Sequence, residues 1–138
     1  LVYASSTSRF ATPGVNIGLF CSTPMVALSR NASSKQSMEM LLTGDLISAD
    51  EAEQKGLINK SLSGEDLENY LLEKAKKISS KSSTTLKIGK KAFYRQIEMP
   101  LDQAYEYASQ VMVENMMDQD AKEGIEAFLE KRNPNWKK

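Results

Sequence analysis

Asn16, Cys21, Ser22 and Thr23 carry the polar chemistry of the stretch from Gly14 to Pro24. A thiol or hydroxyl becomes a nucleophile through a neighbouring base, and this chain contains no histidine. Its first 38 residues hold Arg9, Arg30 and Lys35 but no Asp or Glu, and all 18 carboxylates lie from Glu39 onward. The stretch therefore offers binding chemistry without a general base of its own. Asn16 can orient a water or a carbonyl, or satisfy loop backbone. Cys21, flanked by Phe20, reads as a small buried hydrophobe. Ser22 or Thr23 reads as a helix cap ahead of Pro24. Gly14, following Pro13, reads as a turn glycine at positive φ.

The elements that position these groups follow from spacing. Leu1–Ala4 is an apolar run consistent with a buried strand, and Ser5–Ser8 is a polar turn. Residues 9–11 and 15–17 read as short extended pieces split by Pro13-Gly14. A helix is expected from Ser22 to about Arg30. A second starts at Ser33 or Ser34, carries Met38, Leu41 and Leu42, and stops at Gly44. Ser48-Ala49-Asp50-Glu51 is a capping box opening a short helix that Gly56 ends. Residues 57–62 read as extended. Helices then run over about 65–79, 84–97, from Pro100 onward, and over about 120–131. Leu101, Ala104, Tyr105, Ala108, Val111, Met112 and Met116 form a wide apolar stripe on the third of these, and with Met117 they suit a core or an oligomer interface. The order is strand-rich, then helix-turn-strand, then helical, which gives an α/β or α+β class.

Composition narrows the function classes. A chain of 138 residues with 41% hydrophobic and 26% charged residues can bury one modest core. Its zero formal charge gives no pull toward nucleic acid or an anionic membrane. Lys35, Lys87, Lys90, Lys91 and Arg95 read as a solvated face. No apolar run reaches the roughly 18 residues of a membrane span. The single Cys21 has no internal disulfide partner, which favours a reducing compartment. No Cys/His cluster suggests a metal. The chain opens with Leu1 inside a strand pattern and is read as a piece of a longer protein.

Three segments resemble the enoyl-CoA hydratase/isomerase (crotonase) family. Phe10-Ala11-Thr12-Pro13-Gly14-Val15-Asn16-Ile17-Gly18 is similar to its Phe-Ala-x-Pro-Glu-x-x-x-Gly element. Residues 37–59 (SMEMLLTGDLISADEAEQKGLIN) are similar to its Leu-Thr-Gly…Ile-x-Ala-x-x-Ala…Gly-Leu-Ile element. Residues 123–132 (EGIEAFLEKR) are similar to its terminal Glu-Gly-x-x-Ala-Phe-x-x-Lys-Arg element.

The resemblance implies an α/β fold: the C-terminal part of a crotonase-like ββα spiral over residues 1–62, then a helical trimerisation region over 63–138. It implies a coenzyme A thioester as substrate or ligand, no tightly bound cofactor or metal, and a homo-trimer or hexamer with no nucleic-acid or membrane partner. It puts the protein inside the cell, in the cytoplasm or the mitochondrial matrix. Phe128 and Lys131 match the residues that contact the adenine-phosphate end of CoA, an aromatic and an ammonium three positions apart on one helix face. Asn16, Cys21 and Ser22 fall beside the substrate pocket. Gly14 falls on the family's catalytic Glu, and Ser22 on an alternative carboxylate position. The oxyanion-hole donors and a further Glu belong to the family's first half, so this chain alone is expected to be inactive. Three readings stay open: an acyl-CoA binder with weak, altered or absent activity; a non-catalytic oligomerising relative; and a hydratase or isomerase whose base precedes Leu1.

Overall fold

The computed structural model describes residues 1–136. The chain forms two compact units, Leu1–Lys74 and Ala75–Lys138. The first contains β1 (Tyr3–Ser5), β2 (Arg9–Phe10), a 3₁₀ turn (Pro13–Ile17), α1 (Ser22–Asn31), α2 (Ser34–Thr43), β3 (Ile47–Ser48), α3 (Ala49–Gln54) and β4 (Lys60–Leu62). β1 pairs with β4 in parallel, Tyr3 opposite Lys60. β2 pairs with β3 antiparallel, Arg9 opposite Ser48. The long segment between β1 and β4 supplies the crossover that a parallel pair needs.

The core of this unit is made by the inward positions of α2 and its neighbours. Met40 and Leu41 from α2 meet Leu28 from α1, Ile47 from β3, Ala52 from α3 and Ala4 from β1. Leu41 is 1% exposed, so its truncation would empty a filled site. The capping chemistry follows the sequence closely. Ser33 accepts the Gln36 N–H at the start of α2, and Gly44 ends it in the left-handed region at φ 67°. Ser48 and Glu51 exchange both bonds of a capping box, and the Ser48 N–H holds the Glu51 carboxyl below its usual range.

Residues 1–4 and 57–62 are strand only in part, as β1 starts at Tyr3 and β4 at Lys60, and Leu1 and Val2 are exposed. Two further local expectations fail around Gly14. Residues 15–17 are not extended: they complete the 3₁₀ turn, which Pro13 opens and left-handed Gly18 closes. Proline's fixed φ and a C-terminal glycine favour such a tight turn over a strand. Neither Ser22 nor Thr23 caps α1. Cys21 occupies the cap position without a side-chain bond, and Ser22 is already helical. The Ser22 hydroxyl instead donates back to the Phe20 carbonyl at 3.3 Å.

α4 (Gly64–Ser79) crosses the division between the units. The second unit continues with α5 (Ser83–Gln96), α6 (Leu101–Met116) and α7 (Gln119–Leu129). Among its described residues the buried ones are Ser82, Ala104, Asp120 and Ala127. The α6 stripe is mostly bare: Ala104 is buried, but Tyr105 is 70% exposed, Met112 60% and Met116 55%. The stripe does not form a core within the chain. Among the described residues no helix is long and apolar enough to cross a membrane.

Candidate functional site

The turn around Gly14 is fixed from four directions. Thr12, just ahead of the 3₁₀ turn, is buried and donates its hydroxyl to the Met40 carbonyl at 2.8 Å. Asn16 donates its amide to the Gly44 carbonyl at 3.5 Å. The Gly14 carbonyl accepts the Leu19 N–H at 2.9 Å. The Gly14 N–H donates to the Cys21 thiol sulfur at 3.3 Å.

Gly14 is a glycine for a reason other than the one expected. The left-handed glycines among the described residues are Gly18, Gly44 and Gly56. Gly14 lies within the 3₁₀ turn, where other residues are at ease. What it lacks is room. A Cβ there would lie 2.5 Å from the Leu19 carbonyl oxygen and 2.8 Å from the Cys21 sulfur. Gly44 is constrained twice over: its φ is left-handed, and a Cβ would come within 2.9 Å of the Val15 side chain. The Leu-Thr-Gly element therefore gives α2 its stop and seats the 3₁₀ turn against that stop.

The polar candidates occupy distinct positions. Cys21 is half-buried and packs against the core beside Phe10 and Met25. Ser22 is exposed. Asn16 is exposed and tied to Gly44. Gly14, Asn16 and Cys21 thus belong to one bonded turn, and Ser22 stands just outside it. Among the described residues no group of three or more His, Cys, Asp or Glu side chains is arranged to hold a metal.

The second candidate pair lies at the end of α7. Phe128 is 82% exposed. With Leu86, Ile125, Leu129 and Trp136 it lines a groove of about 520 Å³. Lys131 does not share its helix face, because α7 ends at Leu129, two residues short of the expected end. The Lys131 N–H bonds the Phe128 carbonyl and the Arg132 N–H bonds the Ala127 carbonyl, while Lys131 adopts φ 54°. This is the hydrogen-bond pattern of a Schellman stop with lysine in the seat that glycine usually takes. Phe128 and Lys131 stay close along the chain, but the turn sets their directions.

Sequence reasoning missed the network that builds this end. Arg132 grips Glu123 with two parallel bonds, at 2.6 and 3.0 Å, and bonds Glu130 through Nε. Glu123 also accepts the Asn135 N–H at 2.6 Å. The Arg132 guanidinium, and then the Asn135 amide, pull the Glu123 carboxyl down to about 2. The indole of Trp136 donates to the Ser80 carbonyl at 2.8 Å and rests on Gly124, where a Cβ would come within 3.2 Å of the ring. The signal lay in the motif itself: Glu, Gly and Arg each serve the return of the chain onto α7.

The sequence matches the enoyl-CoA hydratase/isomerase family over residues 1–138. It is 53% identical over 136 residues to the mitochondrial enoyl-CoA hydratase domain-containing protein 3 of Mus musculus, covering 99% of this chain and 45% of that protein. The chain thus spans less than half the length of that relative. The crystal structure of an enoyl-CoA hydratase from Mycobacterium smegmatis superposes with a TM-score of 0.94 at 47% identity, over 99% of this chain and 53% of that one. Human enoyl-CoA hydratase domain-containing protein 3 superposes with a TM-score of 0.91 at 48% identity, over 97% and 53%. The α/β architecture is that of the C-terminal part of a crotonase-like fold.

Proposed function

This chain belongs to the enoyl-CoA hydratase/isomerase family, and on that premise we propose that it supplies part of an acyl-CoA-binding site that lacks the family's usual carboxylate. The observation that carries the ligand half of this reading is Phe128. It is a large aromatic left 82% exposed beside an apolar groove, with the exposed Lys131 three residues on. An aromatic face takes a purine and an ammonium takes a phosphate, which suits the adenine-phosphate end of coenzyme A.

The chemical half of the reading rests on Gly14. It stands where the family carries a proton-transferring Glu, and a glycine transfers no proton. Loss of a positioned general base costs about 10²–10⁴ in rate. Hydration by a paired-Glu mechanism is therefore disfavoured, and the protein acts as an acyl-CoA binder of weak, altered or absent hydratase activity. Asn16, Cys21 and Ser22 border the acyl end without acting as base. No tightly held cofactor is needed. The similarity to mitochondrial relatives supports a place in the mitochondrial matrix.

Self-association completes the reading. Tyr105, Met112, Met116 and Met117 leave α6 with an uncovered apolar face, and such patches mark contact surfaces. A homo-trimer or hexamer would cover it, with residues 63–138 as the oligomerising region and residues 1–62 as the end of the spiral core. Titration calorimetry with acetyl-CoA or crotonyl-CoA tests the central claim. Binding that weakens in Lys131→Ala supports it. Absence of binding leaves a non-catalytic oligomerising relative, and sedimentation analysis reports that role directly. Robust crotonyl-CoA hydration by a longer protein that carries this chain, and not by this chain alone, would favour a base preceding Leu1.

A further inference from the structure

We infer that Gly14 and Cys21 form one coupled unit, in which Cys21 is a positioning residue that closes position 14 to any side chain. The inference rests on the reading of position 14 as the family's carboxylate position, and deepens it: the base is absent, and its space is filled. Three observations carry it. A Cβ at position 14 meets a backbone oxygen at 2.5 Å and the thiol at 2.8 Å. A backbone atom yields only if residues 18–21 move, and that movement breaks the 2.9 Å bond from the Leu19 N–H to the Gly14 carbonyl. Cys21 is restrained as well. Its sulfur accepts the Gly14 N–H, its side chain packs on the core, and its carbonyl accepts the Met25 N–H at 2.9 Å in the first turn of α1.

The alternative, that Gly14 is required for a left-handed turn, does not hold, because its φ is not positive. The glycine serves a close approach of backbone and thiol. The consequence is specific. Restoring Glu at position 14 does not deliver a positioned carboxylate, because the side chain must first expel the Leu19 carbonyl and the thiol from the place it would start in. The cysteine matters as an acceptor at this position, and no reaction at sulfur is invoked.

Amide hydrogen exchange at Gly14 and alkylation of the Cys21 peptide, both read by mass spectrometry on the intact protein, test the unit. Cys21→Ser keeps an acceptor and should retain protection of the Gly14 amide. Cys21→Val keeps the bulk without the acceptor and should lose it. A role for Cys21 as filler alone would leave the valine variant protected and overturn the inference. Gly14→Ala should speed Cys21 alkylation by about tenfold, and its effect on melting temperature should be smaller in a Cys21→Ala background, as expected for residues in contact. Additive effects in that cycle would count against the pair. Gly14→Glu should lower the melting temperature and speed Cys21 alkylation as Gly14→Ala does, and a Glu variant as stable and as shielded as the parent would overturn closure of the position. A parent protein that binds no acyl-CoA but gives the expected exchange pattern would remove the functional reading and leave the coupling standing.

Discussion

Arg132 holds Glu123 through both carboxylate oxygens, at 2.6 and 3.0 Å, from a position just beyond the end of α7. The pair joins the tail of the chain to the helix it has just left, and the Asn135 N–H adds a third bond to the same carboxylate. A planar guanidinium matches a carboxylate in a way that an ammonium does not. Arg132→Lys should therefore loosen the tail although the charge is kept. The indole of Trp136, bonded to Ser80, is the chain's one tryptophan and reports the change as a red-shifted emission.

The same pair sets a pH dependence. The Glu123 carboxyl is lowered from 4.5 to about 2 by Arg132 and Asn135. A group whose folded pKa is depressed contributes stability above its unfolded pKa and loses it as pH falls toward the folded one. Parent protein and Glu123→Gln should thus differ fully above about pH 5, and converge between about pH 4.5 and pH 2. Melting curves across that range check this. A gap that stays constant with pH would remove the carboxylate from the account.

Ser82 links two helix starts through one hydroxyl. It accepts the Thr85 N–H as the cap of α5 and donates to Asp120 at 2.6 Å near the start of α7, with both side chains buried. Ser82→Ala removes a cap and takes a buried partner from Asp120, a combination worth about 2–4 kcal/mol. Urea unfolding should show the loss, and Ser82→Thr, which keeps the hydroxyl, should recover most of it.

The seat of the 3₁₀ turn can be tested at Gly44. A side chain there suffers a left-handed φ and a 2.9 Å approach to Val15. Gly44→Ala should cost about 1–3 kcal/mol in unfolding free energy, and should also expose the Gly14 amide to exchange. Gly56→Ala shares the left-handed φ but meets nothing within 4 Å, so it should be the milder of the two. Equal losses would assign the whole effect to φ.

These positions show what was legible in the residues and what was not. The Ser48/Glu51 capping box and the glycine stop of α2 follow from local chemistry, in which a Ser, a Glu three residues later and a Gly each act on their own backbone, and the crotonase-like class follows from the resemblance of three segments. Val15-Asn16-Ile17 suits a strand as well as a turn in sequence, and Pro13 and left-handed Gly18 decide for the 3₁₀ turn. Ser22 has the chemistry of a cap for α1, but it lies within the helix and its hydroxyl donates to the Phe20 carbonyl. The reason for Gly14 depends on a thiol seven residues away, and no spacing rule announces that. The α6 stripe suits a core or a contact surface equally in sequence, and the structure leaves Tyr105, Met112 and Met116 exposed.

Lys131 separates ligand binding from stability. It sits at φ 54° as the left-handed residue of the stop after α7, where a side chain costs about 1–2 kcal/mol relative to glycine. Lys131→Gly relieves that cost and adds freedom to the unfolded chain, so a net gain of up to about 1 kcal/mol is expected. Lys131→Ala keeps the strain and removes the ammonium with its stem. Under the acyl-CoA reading both variants lose affinity in calorimetry while their melting temperatures move apart, glycine upward and alanine little. Affinity that followed melting temperature instead would mean that the ammonium touches no ligand.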